Sequence, residues 1–170
     1  MLVLAGIVND SIVDGPGIRM TVFAQGCPHH CEGCHNPETW AFGCGTPMEE
    51  ERIVEIVGTN PLCRGVTFSG GEPFAQAEGF AKLAKLLKNR GYEVASYSGY
   101  TFEQLMNGTE AQKQLLSSID VLIDGRFVLS EKSLEVPFRG SRNQRIIHVP
   151  KRLAAGEAVC ITSGRWVGEY

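Results

Sequence analysis

The strongest constraint on the fold is a recurring couplet. A short apolar run ends in a loop rich in glycine or cysteine, and a segment with helical periodicity follows. Residues 18–25, 65–69, 93–97 and 120–124 are the apolar runs. In residues 18–25 the alternation is poor and the apolar content high, which suits a strand covered on both faces. Residues 78–90 are the clearest helix, with Phe80, Leu83, Ala84, Leu86 and Leu87 at helical spacing and Gly91 placed to stop it. Residues 101–118 read as another helix, broken near Asn107-Gly108. Strand and helix in alternation imply a parallel sheet with right-handed crossovers. With 170 residues the chain is too short for eight such units, since a full barrel takes about 250 residues. The expectation is an α/β fold: an incomplete parallel (β/α) barrel, open on one side, in a single domain over residues 1–170.

The other segments are read by local chemistry. Residues 2–8 form a first strand, and residues 10–17, dense in turn formers, a loop. Residues 36–40 suit a short helical turn. Thr46-Pro47-Met48-Glu49 has the pattern of a helix start, with Thr46 as N-cap, Pro47 at N1 and Glu49 at N3. Ile53, Ile56 and Val57 would be that helix's buried face. Residues 127–144 read as polar and irregular, residues 145–149 as a last short strand, and the tail from 150 as loop and edge structure.

The chemistry begins where the first core strand ends. Cys27-Pro28-His29-His30-Cys31-Glu32-Gly33-Cys34 sets three thiols at C-x3-C-x2-C, with no fourth cysteine within a few residues. Thiolates suit iron–sulfur clusters and zinc, and three ligands leave one coordination position open. A zinc knuckle completed by His29, His30, His35 or Cys44 would use the same residues. The start, Met1 to Ile7, lacks a basic n-region and a cleavage site and is too short to span a bilayer. A cytoplasmic protein without membrane attachment is expected. There six cysteines favour metal over disulfides. A net charge of −3 argues against nucleic acid as the main partner. Gly70-Gly71-Glu72-Pro73 follows the second core strand, where glycines let a ligand approach the main chain. Ser98-Gly99 and Asp124 end the next two strands. Sites in parallel α/β folds gather at such carboxyl ends.

The cysteine loop, the Gly-Gly-Glu-Pro loop and Asp14-Gly15-Pro16-Gly17-Ile18-Arg19 together resemble the radical SAM superfamily, most closely the activating enzymes of glycyl radical enzymes. Arg139-Gly140-Ser141-Arg142-Asn143-Gln144-Arg145 is similar to a segment of the activases of anaerobic ribonucleoside-triphosphate reductase. The resemblance implies a 4Fe–4S cluster on Cys27, Cys31 and Cys34, with S-adenosylmethionine on the fourth iron. It implies that the Gly70, Gly71 and Glu72 loop binds the methionine ammonium, and that Ser98 and Asp124 lie near the ribose and methionine groups. Gly33 stands where many relatives carry an aromatic residue, so adenine contact would fall to Gly33, Cys34 or His35. It further implies reductive cleavage of S-adenosylmethionine and transfer of a hydrogen atom from a glycine of the reductase. The partners would be the glycyl radical subunit of that reductase and a flavodoxin- or ferredoxin-type electron donor. A different glycyl radical enzyme as target, a small-molecule radical SAM reaction and a zinc-stabilised binding module are the competing readings.

The remaining singular residues have plainer readings. Cys44, Cys63 and Cys160 read as small buried residues, and His29 and His30 as exposed loop residues. Trp40 reads as packing. Arg139, Arg142, Arg145, Lys151 and Arg152 form a basic segment, read as a solvated face, a docking surface or a clamp for the cofactor carboxylate. Arg19 and Arg126 are further candidates for that clamp.

Overall fold

A computed structural model describes residues 1–150 and 164–167. Its centre is a sheet of seven strands: β1 (Leu2–Ser11), β2 (Arg19–Ala24), β3 (Thr46–Met48), β4 (Gly65–Gly70), β5 (Glu93–Ser98), β6 (Val121–Asp124) and β7 (Arg145–His148). Their spatial order is β3-β1-β2-β4-β5-β6-β7. The helices are α1 (Glu50–Gly58), α2 (Ala77–Asn89), α3 (Phe102–Met106), α4 (Glu110–Ser118) and α5 (Gly164–Val167).

The four central strands run parallel, as the alternation of strand and helix implied. The edges do not. β1 pairs antiparallel with both β2 and β3, and β7 pairs antiparallel with β6. The wholly parallel sheet expected from the alternation is therefore corrected to an open mixed sheet that does not close on itself. Thr46-Pro47-Met48 is likewise corrected. It is an edge strand against Leu2, Val3 and Leu4, and α1 begins three residues later than the capping pattern implied. Of the expected α1 face, Ile53 and Val57 are buried and Ile56 is partly so. The break at Asn107-Gly108 is real, with a capping box at the head of each resulting helix: Thr101 with Gln104, and Thr109 with Gln112. The tail lies outside the described residues except for α5, a helical turn rather than edge structure.

The period of two along the strands divides the core. Met20, Val22, Val66, Phe68, Val94 and Leu122 pack under α1, α2 and α4. The other face is partly polar. Arg19 is fully buried there, its Nε donating to Thr67 Oγ1 at 2.9 Å and its Nη1 to Glu93 Oε1 at 2.8 Å. Trp166 of α5 covers the guanidinium with its ring centroid 5.4 Å away. Arg19 thus braces the start of β2, at the opposite end from the cysteine loop, which removes it as a candidate clamp.

The register Ala24↔Gly70 and Ser98↔Asp124 brings the carboxyl ends of β2, β4, β5 and β6 to one rim. Its rigidity rests on the helix-side core, where Phe68 and Phe80 meet at 4.8 Å. Phe80→Ala should lower unfolding free energy in urea by about 3–5 kcal/mol, the cost of a large-to-small change at a site with no room to collapse.

Candidate cofactor site

The cysteine loop leaves β2 and returns to the same place. Gly26 N–H donates to Thr39 O at 2.7 Å and Cys27 N–H to Trp40 O at 3.1 Å. The Gln25 amide donates to Glu38 O and Ala41 O, and Gln76 ties Gln25 O to β1. Within the loop, Cys34 N–H donates to Cys31 O at 3.1 Å. His30 takes φ of 49°, and its ring stacks on Trp40 at 4.6 Å.

Gly70-Gly71 lies directly against the exit of β2. Gly71 N–H donates to Ala24 O and Glu72 N–H to Gly26 O, both at 2.8 Å. A Cβ at Gly71 would lie 2.4 Å from Gly26 O. The two glycines are thus required by backbone meeting backbone, a reason separate from any ligand.

Cys27, Cys31, Cys34, Gly70, Gly71 and Glu72 all line one cavity of about 360 Å³ at the rim. His35 and Ser98 line it too, as do Phe127 and Arg139 from the segment after β6. Burial pushes the Cys27 thiol up, against backbone donors at His29 and His30 that favour the thiolate. A tetrahedral zinc site with Zn–S bonds of about 2.3 Å would hold its sulfurs about 3.8 Å apart. Among the described residues, the one His/Cys/Asp/Glu trio with donor atoms all within 4.8 Å is Glu49, Glu50 and Glu51, away from this cavity. Of the candidates for a fourth ligand, His29 pairs with Glu72 and His30 stacks on Trp40. Cys44 is exposed, which corrects the expectation of a buried residue, whereas Cys63 is buried as expected. Three thiols around one cavity are a donor set that iron–sulfur clusters use.

Two anticipated ligands have structural partners instead. Glu72 is 1% exposed, and its carboxylate accepts from Phe74 N, Ser98 Oγ, Gly99 N and His29 Nε2. Asp124 is also 1% exposed. It follows Ile123 and so points to the helix side, where it accepts from Phe102 N at 2.8 Å and pairs with Arg145. Gly125, not the Asp124 side chain, reaches the cavity. Gly33 stands behind the lining. A Cβ there would meet Leu129 at 2.8 Å and Phe127 at 3.3 Å. Phe127 also packs against His35 at 5.0 Å, so an aromatic ring does adjoin the last cysteine, supplied from elsewhere in the chain.

Of the basic segment, Arg142 pairs with Glu135 and Arg145 with Asp124 and Glu103. Arg126 is exposed, and its carbonyl accepts from Asn143. Lys151 and Arg152 lie outside the described residues. Arg139 differs from these. It lines the cavity, and among the described residues its Nε is buried without a partner and its Nη1 reaches only Gln144 O at 3.4 Å. Trp40 also lines the cavity, with its indole Nε1 buried and without a partner among the described residues. Sequence reasoning missed His29, whose side chain is 4% exposed. Its burial depends on residues 43 and 70 positions away, and nothing local signals it.

The segment that roofs the cavity is held by Tyr97, whose Oη donates to Phe138 O at 2.6 Å. Burial raises the Tyr97 phenol well above its usual 10.0. The unfolded chain therefore ionises first, and stability is lost as pH rises above about 10. Tyr97→Phe should cost about 1 kcal/mol in urea unfolding near neutral pH. Above that pH the variant should lose stability less steeply than the parent chain, as alkaline unfolding curves would show.

Comparison with known proteins follows the same residues. A family model described as a 4Fe–4S single cluster domain matches residues 13–147. The chain is 35% identical over 145 residues to the anaerobic ribonucleoside-triphosphate reductase-activating protein of Vibrio cholerae, covering 81% of this chain and 91% of that one. It is 35% identical over 146 residues to the protein of the same name from Escherichia coli K12, covering 81% and 93%. It is 34% identical over 142 residues to that of enterobacteria phage T4, covering 79% and 86%. The chain belongs to the 4Fe–4S single cluster domain family and to the family of anaerobic ribonucleoside-triphosphate reductase-activating proteins.

Proposed function

We propose that the chain is an activase of the radical SAM type, a single domain whose open sheet is an incomplete barrel of that class. The carrying observation is that the three thiols of the cysteine loop share one cavity with the Gly70-Gly71 turn. Cys27, Cys31 and Cys34 would hold a 4Fe–4S cluster, and S-adenosylmethionine would occupy the remaining coordination position. So loaded, the site would supply one low-potential electron to the sulfonium and yield a 5′-deoxyadenosyl radical, which takes a hydrogen atom from a glycine of anaerobic ribonucleoside-triphosphate reductase.

The chain's own residues bind and orient. Because the Glu72 carboxylate is filled, the methionine ammonium is assigned to main-chain carbonyls of the Gly70-Gly71 turn. Ser98 and Gly99 lie beside it on the same cavity. Arg139 is the cavity-lining cation for which no carboxylate is present among the described residues, and it is assigned to the cofactor carboxylate. Cys34 and His35, with Phe127 over Gly33, give the adenine its surface. Asp124 acts at one remove, by holding Arg145 and the start of α3. An open sheet edge leaves room for a protein loop to reach the cavity. No helix among the described residues is long and apolar enough to cross a membrane. We place the protein in the cytoplasm, served by a flavodoxin- or ferredoxin-type donor.

The test is anaerobic incubation of reconstituted, reduced protein with S-adenosylmethionine and the reductase, read by electron paramagnetic resonance. A glycine-centred doublet with matching 5′-deoxyadenosine is expected. Deoxyadenosine without the doublet would overturn the partner, and colourless protein carrying one zinc would overturn the chemistry. Cys27→Ser, Cys31→Ser and Cys34→Ser should each remove most bound iron and sulfide, whereas Cys44→Ser should keep both. Arg139→Leu should raise KM for S-adenosylmethionine about tenfold, equivalent to about 1.4 kcal/mol, with Arg139→Lys intermediate.

A further inference from the structure

We propose that His29 is a positioning residue that locks the cysteine loop to the Gly70-Gly71-Glu72 turn, so that the two halves of the site keep one geometry. The inference rests on the functional reading above for its consequence, though the contact itself stands apart from it. The two halves leave different strands, the cysteines from β2 and the glycine turn from β4. Backbone bonds join them only at the first residues of the loop, where Ala24 O and Gly26 O accept from Gly71 and Glu72. Beyond Cys27 the loop needs another tether. His29 Nε2 lies 2.7 Å from Glu72 Oε2, with both side chains almost wholly buried.

The arrangement is specific. Three of the four donors to the Glu72 carboxylate are Phe74 N, Ser98 Oγ and Gly99 N, all on the β4 and β5 side. The fourth, His29, is the one from the cysteine loop. The proposed lock has the imidazole donating from Nε2, beside the three N–H and O–H donors that the carboxylate already accepts. The ring fits because Gly99 has no side chain; a Cβ there would stand 2.4 Å from His29 Cδ2. Tyr100 meets the other side edge-on, with centroids 4.6 Å apart at 74°. The backbone donors at His29 and His30 bear on Cys27. Fixing the ring therefore fixes donors that lie beside a proposed ligand, and such outer contacts orient and tune a metal centre. Neighbouring His30 makes no such bridge; its ring stacks on Trp40 within the loop's own return.

Two variants separate the hydrogen bond from the volume. His29→Leu fills the slot without a donor, and His29→Gln places an amide N–H near the position of Nε2. Both are reconstituted anaerobically alongside the wild type. Measurements are iron and sulfide content, the spectrum of the reduced cluster with and without S-adenosylmethionine, and KM and kcat for deoxyadenosine formation. His29→Leu should raise KM about tenfold and blunt the spectral response to S-adenosylmethionine, or lose the cluster; His29→Gln should restore most of either. Equal behaviour of the two variants, whether both intact or both failing, overturns the proposal. In metal-free protein, long-range proton–nitrogen spectra should show the Nε2–H tautomer of His29 in the wild type and its loss of protection in Glu72→Gln. The opposite tautomer overturns the proposal without reference to any cofactor. A wild type that holds no cluster, or whose cluster ignores S-adenosylmethionine, overturns the functional reading while the spectra of the metal-free protein still decide the contact.

Discussion

A carboxylate taken out of water must have its oxygens satisfied, and this constraint at Glu72 organises the rim of the sheet. Its four donors come from the turn after β4, the end of β5 and the loop after β2. Each donor dictates a residue choice. Position 98 carries a hydroxyl, position 99 carries no side chain, and position 29 carries a ring that can reach across. Removing the carboxylate would leave several buried donors unpaired at once, which is why a network of this kind is stable only when complete.

The same accounting explains the far face. Arg19 is buried at the start of β2 with Thr67, Glu93 and backbone carbonyls as acceptors and Trp166 above it. Asp14, in the turn before β2, takes hydrogen bonds from Ser11 and Thr21 while its carbonyl accepts from Thr67. One face of the sheet is therefore held by apolar packing under helices, and the other partly by polar contacts. The cavity opens at the end of the polar face, where side chains rather than helices line the space.

The central strands and α2 were legible because hydrophobic period and length agree there. What failed was decided by distant partners. Thr46-Pro47-Met48-Glu49 has good helix-start chemistry, but β1 offers Leu2, Val3 and Leu4 as an unpaired edge, and pairing there outweighs a local cap. The antiparallel edges also left no local mark. The three cysteines and the glycine turn were legible as a set. At Asp124 the sequence shows the direction of the strand but not which face the side chain takes; one residue further along, Gly125 reaches the cavity. His29 was misjudged because its burial is written at Glu72 and Gly99. Arg145 could not be told from Arg139 until Asp124 and Glu103 were seen to claim it.

Gly33 shows how the cysteine loop is fitted to the stretch that follows β6. A side chain there would collide with Leu129 and crowd Phe127. The two segments can therefore close on each other only while position 33 stays bare. Any larger residue would wedge them apart and widen the mouth of the cavity without altering a single thiol.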